Sequence, residues 1–242
     1  MSNRDRLKAQ AAEEALRLLG EQSVLRLLGL GTGSTAEIFL RRLAEVYRAG
    51  IVPLEGGVPT SRRTERLARE LGLPLTTLEE HPELDLTVDG ADEVDPRGNL
   101  LKGGGGAHTR EKIVAWASQN YWILVDESKL VPRLGERHPI PLEVLAFGQR
   151  VVERAVRALG GEPRLRLRPD GTPFETDEGN RVLDCAFPKG IDPTDVEGLA
   201  RELSAIPGVV EHGLFPSSSV PGKLQIIVAG RDGIRVTRLS AR

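Results

Sequence analysis

The chain has 242 residues, of which 28% are charged and 4% aromatic, and its formal net charge is −2 at pH 7. This length can bury one large core or a large and a small one, and the scarcity of aromatics means that aliphatic side chains must fill them. The balanced charge, without a basic stripe, argues against nucleic-acid binding. Cys185 is the single cysteine, which excludes an internal disulfide framework and fits a reducing compartment.

The amino-terminal segment is charged and amphipathic, and it predicts a helix over residues 3–19 rather than a secretory leader. No apolar stretch of the sequence approaches membrane-spanning length. We therefore expect a cytoplasmic protein that binds no membrane. Lysine is the rarer cation, with 6 residues against 27 arginines, so a lysine in a candidate site calls for a chemical explanation.

Short apolar runs alternate with longer amphipathic ones over the first 130 residues, which is typical of a mostly parallel α/β sheet. The elements predicted after the first helix are strand 24–30, helix 34–48, strand 51–54, helix 61–71, strand 75–78, strand 84–89, an extended piece at 100–101, helix 109–119 and strand 121–125. After Lys129 the pattern is strand 142–147, helix 148–159, strand 163–168, strand 181–186, helix 193–205 and strand 209–214. This second βαββαβ order is ferredoxin-like.

We therefore predict an α/β fold with a Rossmann-like, mostly parallel sheet, helices on both of its faces, and a smaller ferredoxin-like α+β domain. A final hairpin, 223–228 with 234–238, is expected to return to the large sheet. The predicted boundaries are 1–131 and 208–242 for the Rossmann-like domain, which should carry the catalytic site, and 132–207 for the small domain.

The first candidate site is the turn from strand to helix at residues 30–36. The glycines let the backbone approach a ligand, while helix N–H groups and the hydroxyls of Thr32, Ser34 and Thr35 suit a phosphate. Two alternatives remain open. The turn could be an ordinary one with Ser34 as the N-cap, or a dinucleotide fingerprint with Glu55 as the ribose-binding acid at the end of the next strand.

The second candidate is the acidic loop Asp89-Gly90-Ala91-Asp92-Glu93-Val94-Asp95, at the carboxyl end of a predicted strand. Open α/β sheets place ligands at such an edge. The spacing of its carboxylates does not match a calcium loop, and no histidine stands near enough to favour zinc. We interpret Glu93 and Asp95 as parts of a solvated acidic turn, whereas Asp89 and Asp92 lie nearest the strand and are candidates for chemistry.

The third candidate is the run Lys102 to Lys112, in which four consecutive glycines lead from a lysine into a helix. Side-chain-free backbone lets several N–H groups converge on one oxygen, and the helix start adds positive potential. Lys102 could stabilise an anion there, and Glu111 in the first helical turn could act as a base. The alternative is a flexible linker before a helix.

Other chemistry-bearing residues give weaker signals. Lys129 follows a predicted strand, and Lys8 projects from the first helix; either ammonium could serve a phosphate, although solvation is the ordinary role of a single lysine. The four histidines show no metal-ligand spacing. Cys185 has no base beside it in the sequence, which disfavours a cysteine nucleophile.

Four blocks in this order resemble the type A family of ribose-5-phosphate isomerases: GLGTGSTA (29–36), DGADEVD (89–95), KGGGGAHTREK (102–112) and VDESK (125–129). Three further blocks extend the resemblance over nearly the whole chain: IPLEVLAFG (140–148), TDEGNRVLD (176–184) and IPGVVEHGLF (206–215). The resemblance implies interconversion of D-ribose 5-phosphate and D-ribulose 5-phosphate through an enediol(ate), in the non-oxidative pentose phosphate pathway. It also implies no metal, no organic cofactor and a homodimer or homotetramer.

The resemblance further implies roles for residues at matching positions. Glu111 would be the base, Lys102 and the glycine amides would hold the enediolate oxygen, and Asp89 and Asp92 would bind sugar hydroxyls and assist proton movement. The implied substrate contacts are Thr32, Gly33, Ser34, Thr35, Gly90, Ala91, Gly103, Gly104, Gly105, Lys129 and Lys8.

Three other functions remain as alternatives to this one. An amino-sugar-phosphate deaminase-isomerase would want a histidine near the acidic loop, and none lies between His81 and His108. A dinucleotide-dependent oxidoreductase would use the Gly31 turn and Glu55. A non-catalytic sensor would bind the pentose phosphate without exchanging its carbon-bound hydrogen.

Overall fold

The computed structural model describes residues 2–22, 26–220 and 222–240. The chain forms two compact units, the first from residues 1–91, 110–129 and 218–242 and the second from residues 92–109 and 130–217. These boundaries differ from the predicted ones because residues 92–109 and 208–217, together with residues 130–131, belong to the second unit. Strand pairing explains the difference, since short strands from both segments pair with each other there.

The first unit contains a six-stranded sheet in the order β13-β12-β6-β3-β1-β2. All neighbouring pairs are parallel except β12 with β13, which form the predicted hairpin at the sheet edge. Its strands are β1 (Leu27–Leu30), β2 (Gly56–Pro59), β3 (Leu86–Asp89), β6 (Asn120–Asp126), β12 (Lys223–Gly230) and β13 (Gly233–Ser240). Its helices are α1 (Asn3–Gly20), α2 (Ser34–Arg48) and α3 (Arg62–Glu70), together with most of α4 (His108–Trp116).

Helices cover both faces of this sheet. On one face, apolar side chains of α1, α2 and α3 form a continuous core with β1, β3, β6 and β12. On the other face, Val114 of α4 packs with Val58 and Leu84. The helix can approach closely because Gly29 has no side chain: a Cβ there would lie 2.6 Å from a Val114 methyl group.

The second unit contains two antiparallel sheets. Three short strands, β4 (Glu93–Val94), β5 (Leu100–Leu101) and β11 (Leu214–Phe215), pair in the order β11-β5-β4. The larger sheet has the order β10-β7-β9-β8, with β7 (Ile140–Val144), β8 (Glu162–Leu165), β9 (Arg181–Ala186) and β10 (Val209–His212). Helices α5 (Gln149–Ala158) and α6 (Val196–Ser204) complete the predicted βαββαβ order, and the predicted fold class is confirmed.

Two predicted strands are wrong. The strand expected at 51–54 lies instead at Gly56–Pro59, while Ile51 is 64% exposed. Glycine rather than an apolar run makes this strand, because Gly57 lies against Leu30, whose side chain would be 2.6 Å from an added Cβ. At 75–78 only an isolated bridge joins Leu75 to Gly57. Val24 and Leu25, predicted to begin the first strand, lie outside the described residues.

Among the described residues, every helix is too short or too polar to cross a bilayer.

Candidate active site

The turn between β1 and α2 lies directly against Asp89 at the end of β3. The Gly31 N–H donates to the Val88 carbonyl over 3.0 Å, and the Thr32 N–H donates to Asp89 Oδ1 over 3.0 Å. A Cβ on Gly31 would be only 2.4 Å from the same carboxylate oxygen. The absence of a side chain at this position therefore allows the turn and the carboxylate to meet.

The start of α2 has the features of an anion site. Gly33, with φ +102°, is the N-cap and provides no side-chain cap, so the alternative in which Ser34 caps the helix is wrong. Ser34 is the first helical residue, and its hydroxyl accepts a 2.9 Å hydrogen bond from Lys8 Nζ. An ammonium, a hydroxyl and helix N–H groups thus lie together, with Thr35 half-buried beside them.

The hydroxyl of Thr32 lies within a cluster of hydroxyl groups. It lies 2.7 Å from the hydroxyl of Thr60, 2.8 Å from that of Ser61 and 3.0 Å from that of Thr64. These partners lie immediately after β2 and at the start of α3. The hydroxyl cluster holds the turn against the start of α3. Thr32 donates its N–H, and not its hydroxyl, to Asp89. Sequence reasoning missed this cluster, although the Pro59-Thr60-Ser61 sequence after a strand is a signal for it.

Three predicted site residues of the first unit follow strands or begin a helix. Asp89 is fully buried, and its Oδ1 also accepts the Gly90 N–H over 2.8 Å. Glu111 is 5% exposed in the first turn of α4. Lys129 ends the 3-10 helix Glu127–Lys129 that follows β6, and it is half-buried. Asp89 and Lys129 therefore occupy the carboxyl edge of the parallel strands, where α/β sheets bind ligands.

Glu55 cannot serve as the ribose-binding acid of a dinucleotide fold. It precedes β2 instead of following it, so it lies at the amino end of that strand, and its carboxylate pairs with Arg26 at 2.5 Å. The fingerprint requires the acid at the carboxyl end. The oxidoreductase interpretation of this residue is therefore wrong.

The second half of the acidic loop is built into the second unit. Glu93 is fully buried and accepts backbone N–H bonds of 2.7 to 2.8 Å from Gly135, Arg137 and His138. Asp95 is 4% exposed. The prediction of a solvated acidic turn is wrong for both residues, because distant main-chain donors satisfy the first carboxylate and local donors the second.

Asp95 accepts the Arg97 and Asn99 N–H groups and the Asn99 side-chain amide, over 2.7 to 2.9 Å. Burial nevertheless raises the pKa of this carboxyl above its ordinary value, and the hydrogen bonds from Asn99 only partly oppose the shift. Asp95 is thus a structural acid that holds the loop between β4 and β5.

The glycine loop is an ordered turn and not a linker. The Gly104 N–H donates to Asp92 Oδ2 over 2.7 Å, which joins two of the predicted site residues. Gly103 has φ +96°, and a Cβ there would lie 2.6 Å from the His108 ring. Lys102 is 2% exposed and its Nζ lies 5.7 Å from the centre of the Phe215 ring. The exposed Gly105 follows, so the loop presents backbone at its tip.

Two contributors to this loop were not predicted. Arg166 donates to the carbonyl oxygens of Gly103 and Gly104. Glu143, 1% exposed, accepts hydrogen bonds from Thr109, at the start of α4, over 2.5 Å, and from Thr176 and Asn180 over 2.8 Å. In a chain rich in arginine, nothing in the local sequence distinguishes Arg166 from a surface cation.

The remaining reactive groups lie apart from these contacts. Cys185 is fully buried on β9, and burial, together with the charges of Asp184 and Glu153, raises the pKa of its thiol to about 12. It is therefore not an activated nucleophile. Within the described part of the chain, no three His, Cys, Asp or Glu side chains are grouped as a metal site would require.

Comparisons with known proteins agree with each other. Residues 56–233 match the family described as ribose 5-phosphate isomerase A (phosphoriboisomerase A). The chain is 50% identical to ribose-5-phosphate isomerase A of Roseiflexus castenholzii over 94% of its length and 93% of the relative's. It is 49% identical to the Brucella suis protein of the same name, over 99% and 100%.

Solved structures show the same likeness. Ribose 5-phosphate isomerase A of Methanocaldococcus jannaschii superposes with a TM-score of 0.87 at 40% identity, covering 98% of this chain and 100% of the other. A D-ribose-5-phosphate isomerase in complex with phospho-erythronic acid also gives 0.87, at 37% identity, over 99% and 100%.

Proposed function

The chain belongs to the ribose 5-phosphate isomerase A family, and from that premise we propose how its residues carry out the reaction. It is an aldose–ketose isomerase that interconverts D-ribose 5-phosphate and D-ribulose 5-phosphate. This is a step of the non-oxidative pentose phosphate pathway. The reaction moves one proton between C1 and C2 of the open-chain sugar and another between O1 and O2.

Glu111 is proposed as the base that moves the carbon-bound proton. The observation that carries this assignment is a carboxylate only 5% exposed, in the first turn of the helix that follows the glycine loop. Glu111 takes the proton from C2 of the aldose, which leaves an enediolate, and returns it to C1. Restricted solvent access limits loss of the proton to water before it is returned.

Lys102 and the amides of Gly103, Gly104 and Gly105 are proposed to stabilise the enediolate oxygen. A buried ammonium and main-chain N–H groups that are already ordered need no reorganisation when negative charge develops. The hydrogen bond from the Gly104 N–H to Asp92 supports this role, because it holds the loop beside an acid that is proposed to bind the sugar.

Asp89 and Asp92 are proposed to bind the sugar hydroxyls and to assist ring opening and proton transfer between O1 and O2. Main-chain donors orient both carboxylates: the N–H groups of Thr32 and Gly90 contact the first, and that of Gly104 contacts the second. The backbone of Gly90 and Ala91 would contact the sugar next to Asp89.

The phosphate is proposed to bind at the start of α2. Its oxygens would accept hydrogen bonds from the N–H groups of Gly33, Ser34 and Thr35 and from the Lys8 ammonium. The hydrogen bond from Lys8 to Ser34 supports this site, and Lys129 would add a second positive charge. Binding energy from this remote group can orient the reacting carbons.

Replacement of Glu111 by glutamine tests the assignment of the base. Glu111→Gln should reduce kcat by about 10²- to 10⁴-fold, the range that general acid–base catalysis contributes, while phospho-erythronic acid still binds. It should also abolish incorporation of solvent deuterium at the exchanging carbon. Glu197→Gln is a matched control because Glu197 occupies the first turn of α6. Near-normal turnover by Glu111→Gln would refute the assignment.

We also propose that the reaction needs no metal or organic cofactor, that the protein is cytoplasmic, and that it forms a homodimer or homotetramer. Full activity in excess chelator would support the first proposal, and loss of activity would refute it. Four apolar side chains on neighbouring segments of the second unit are 40% or more exposed, which supports self-association: Leu145, Phe147, Val151 and Val210. Sedimentation velocity tests it, since a monomer at assay concentration would exclude it.

A further inference from the structure

Arg166 connects the four-stranded sheet of the second unit to the glycine loop. It follows β8, and its side chain is 15% exposed. Nε and one terminal nitrogen donate to the two carboxylate oxygens of Asp184 on β9, over 2.9 and 2.5 Å. This bidentate pairing fixes the plane of the guanidinium. Among the cationic side chains, only arginine can pair in this way.

The other terminal nitrogen of Arg166 holds the loop itself. Nη1 donates to the carbonyl oxygens of Gly103 and Gly104, at 3.1 Å each. The guanidinium also lies 5.5 Å from the centre of the Phe174 ring. That ring occupies the place where a Cβ of Gly106 would be, at 2.5 Å. The loop is therefore held by Arg166 on its carbonyls and supported by Phe174 at its end.

Because the peptide unit is planar, these two carbonyl contacts also fix the orientation of the two N–H groups that follow them. In a trans peptide the C=O and the following N–H lie in one plane and point in opposite directions, and the described residues contain no cis peptide bond. Because the Gly103 and Gly104 carbonyls point toward Arg166, the N–H groups of Gly104 and Gly105 must point away from it. The Gly104 N–H indeed donates to Asp92.

We propose that Arg166 is a positioning residue that holds the Gly104 amide on Asp92 and aims the Gly105 amide at the enediolate oxygen, an inference that rests on the proposed roles of Asp92 and of the loop amides. Glycine has more conformational freedom to lose than any other residue, so four in sequence need an external constraint to act as an oxyanion site. Asp184 neutralises the guanidinium, so Arg166 contributes geometry more than charge. Its effect should therefore fall on the transition state and spare substrate binding.

The test compares Arg166→Met with Arg168→Met, a matched control two residues away. The side chain of Arg168 is 46% exposed, and its ion pair with Glu175 is long, at 3.7 Å. Arg166→Met should lower kcat by about 10- to 100-fold, in line with small misplacements of reacting groups, with KM changed less than about threefold. Affinity for phospho-erythronic acid should fall with kcat/KM. Amide hydrogen exchange in residues 103–106 should speed up, while the control leaves all three measurements unchanged.

Two further variants keep the inference testable if Arg166→Met does not fold. Arg166→Lys keeps the charge but cannot span both Asp184 oxygens and both carbonyls, so it should fail to restore kcat. Asp184→Asn should loosen the guanidinium and lower kcat by less than Arg166→Met. Wild-type kcat and wild-type loop exchange in Arg166→Lys, or an equal effect on KM and kcat, would overturn the inference. The Glu111→Gln measurement is independent, so failure here would leave the assignment of the base intact.

Discussion

Replacing Gly31 by alanine should misalign Asp89 and thereby reduce activity. The added Cβ would lie 2.4 Å from Asp89 Oδ1, 2.5 Å from the Val88 carbonyl oxygen and 2.6 Å from the Asp89 Cα. Ordinary contacts of a Cβ begin near 3.4 Å, so the turn and the end of β3 must separate by about 1 Å. Two of the three close atoms are backbone, so a change of side-chain rotamer cannot relieve the overlap.

The magnitude follows from that displacement. A misplacement of about 1 Å at reacting groups can cost about 100-fold in rate, so kcat/KM of Gly31→Ala should fall by roughly that factor. The hydrogen bonds from the Gly31 and Thr32 N–H groups are both 3.0 Å long and would be stretched. Their loss, at about 1 kcal/mol each, together with about 1 to 3 kcal/mol for local overpacking, should lower the free energy of unfolding by about 3 to 5 kcal/mol.

The assay is steady-state isomerisation of ribose 5-phosphate, with stability measured by urea unfolding. Gly20→Ala is the control, because Gly20 ends α1 and an added Cβ would have no atom within 4 Å. That control should keep wild-type kinetics and gain up to about 1 kcal/mol in stability. If Gly31→Ala retains kcat/KM within about twofold, the close approach of this turn to Asp89 does not govern catalysis, and the reasoning is wrong.

Four other predictions concern Lys8, Cys185 and Glu143. Lys8→Met should raise KM about tenfold with little change in kcat, because it removes the positive charge beside Ser34 that is proposed to bind the phosphate. An unchanged KM in the isomerisation assay would contradict this. Cys185 should resist iodoacetamide in the native protein and react fully in concentrated urea, because burial raises its thiol pKa to about 12; rapid native labelling would contradict it. The same shift should make stability decline as the pH rises from about 9.0 toward 12, since the unfolded thiol ionises first. Glu143→Ala should lower the free energy of unfolding by about 3 kcal/mol and Glu143→Gln by about 1 kcal/mol, because glutamine keeps one acceptor oxygen for the three hydrogen bonds at this site; equal losses in urea titrations would refute that account.

Local periodicity was sufficient to predict the elements that have a clear apolar stripe. Helix α2 was predicted at 34–48 and is Ser34–Arg48, and the last strand pair was predicted as a hairpin. β2 was misplaced because it is made from Gly56 and Gly57, which are buried by close backbone approach and carry no hydrophobic signal. Hydrophobic patterns in a sequence identify apolar side chains that are buried in the core. They do not identify glycine backbone that is buried there.

The other differences between the predicted and the observed site arise because buried charged groups are hydrogen-bonded by residues that are distant in the sequence. Glu93 was interpreted as a solvated acid, yet it is buried because N–H groups from residues 135–138 contact it. Arg166 contacts Gly103, from which it is separated by 63 positions in the sequence. Short-range composition cannot distinguish a buried, fully bonded charge from an exposed one. Such residues can be identified only when their partners in the tertiary structure are known.

Gly31 and Gly104 perform the same physical task in different units. A Cβ on the first would lie 2.4 Å from Asp89, and one on the second 3.0 Å from Asp92. In both places the missing side chain lets a main-chain N–H in the same turn bind the carboxylate, from Thr32 in one case and from Gly104 itself in the other. Amide donors at these distances fix the orientation of the carboxylate. The glycines around these two acids therefore act by allowing close and rigid contact, so their replacement should impair catalysis through the geometry of the carboxylates and not through a loss of flexibility.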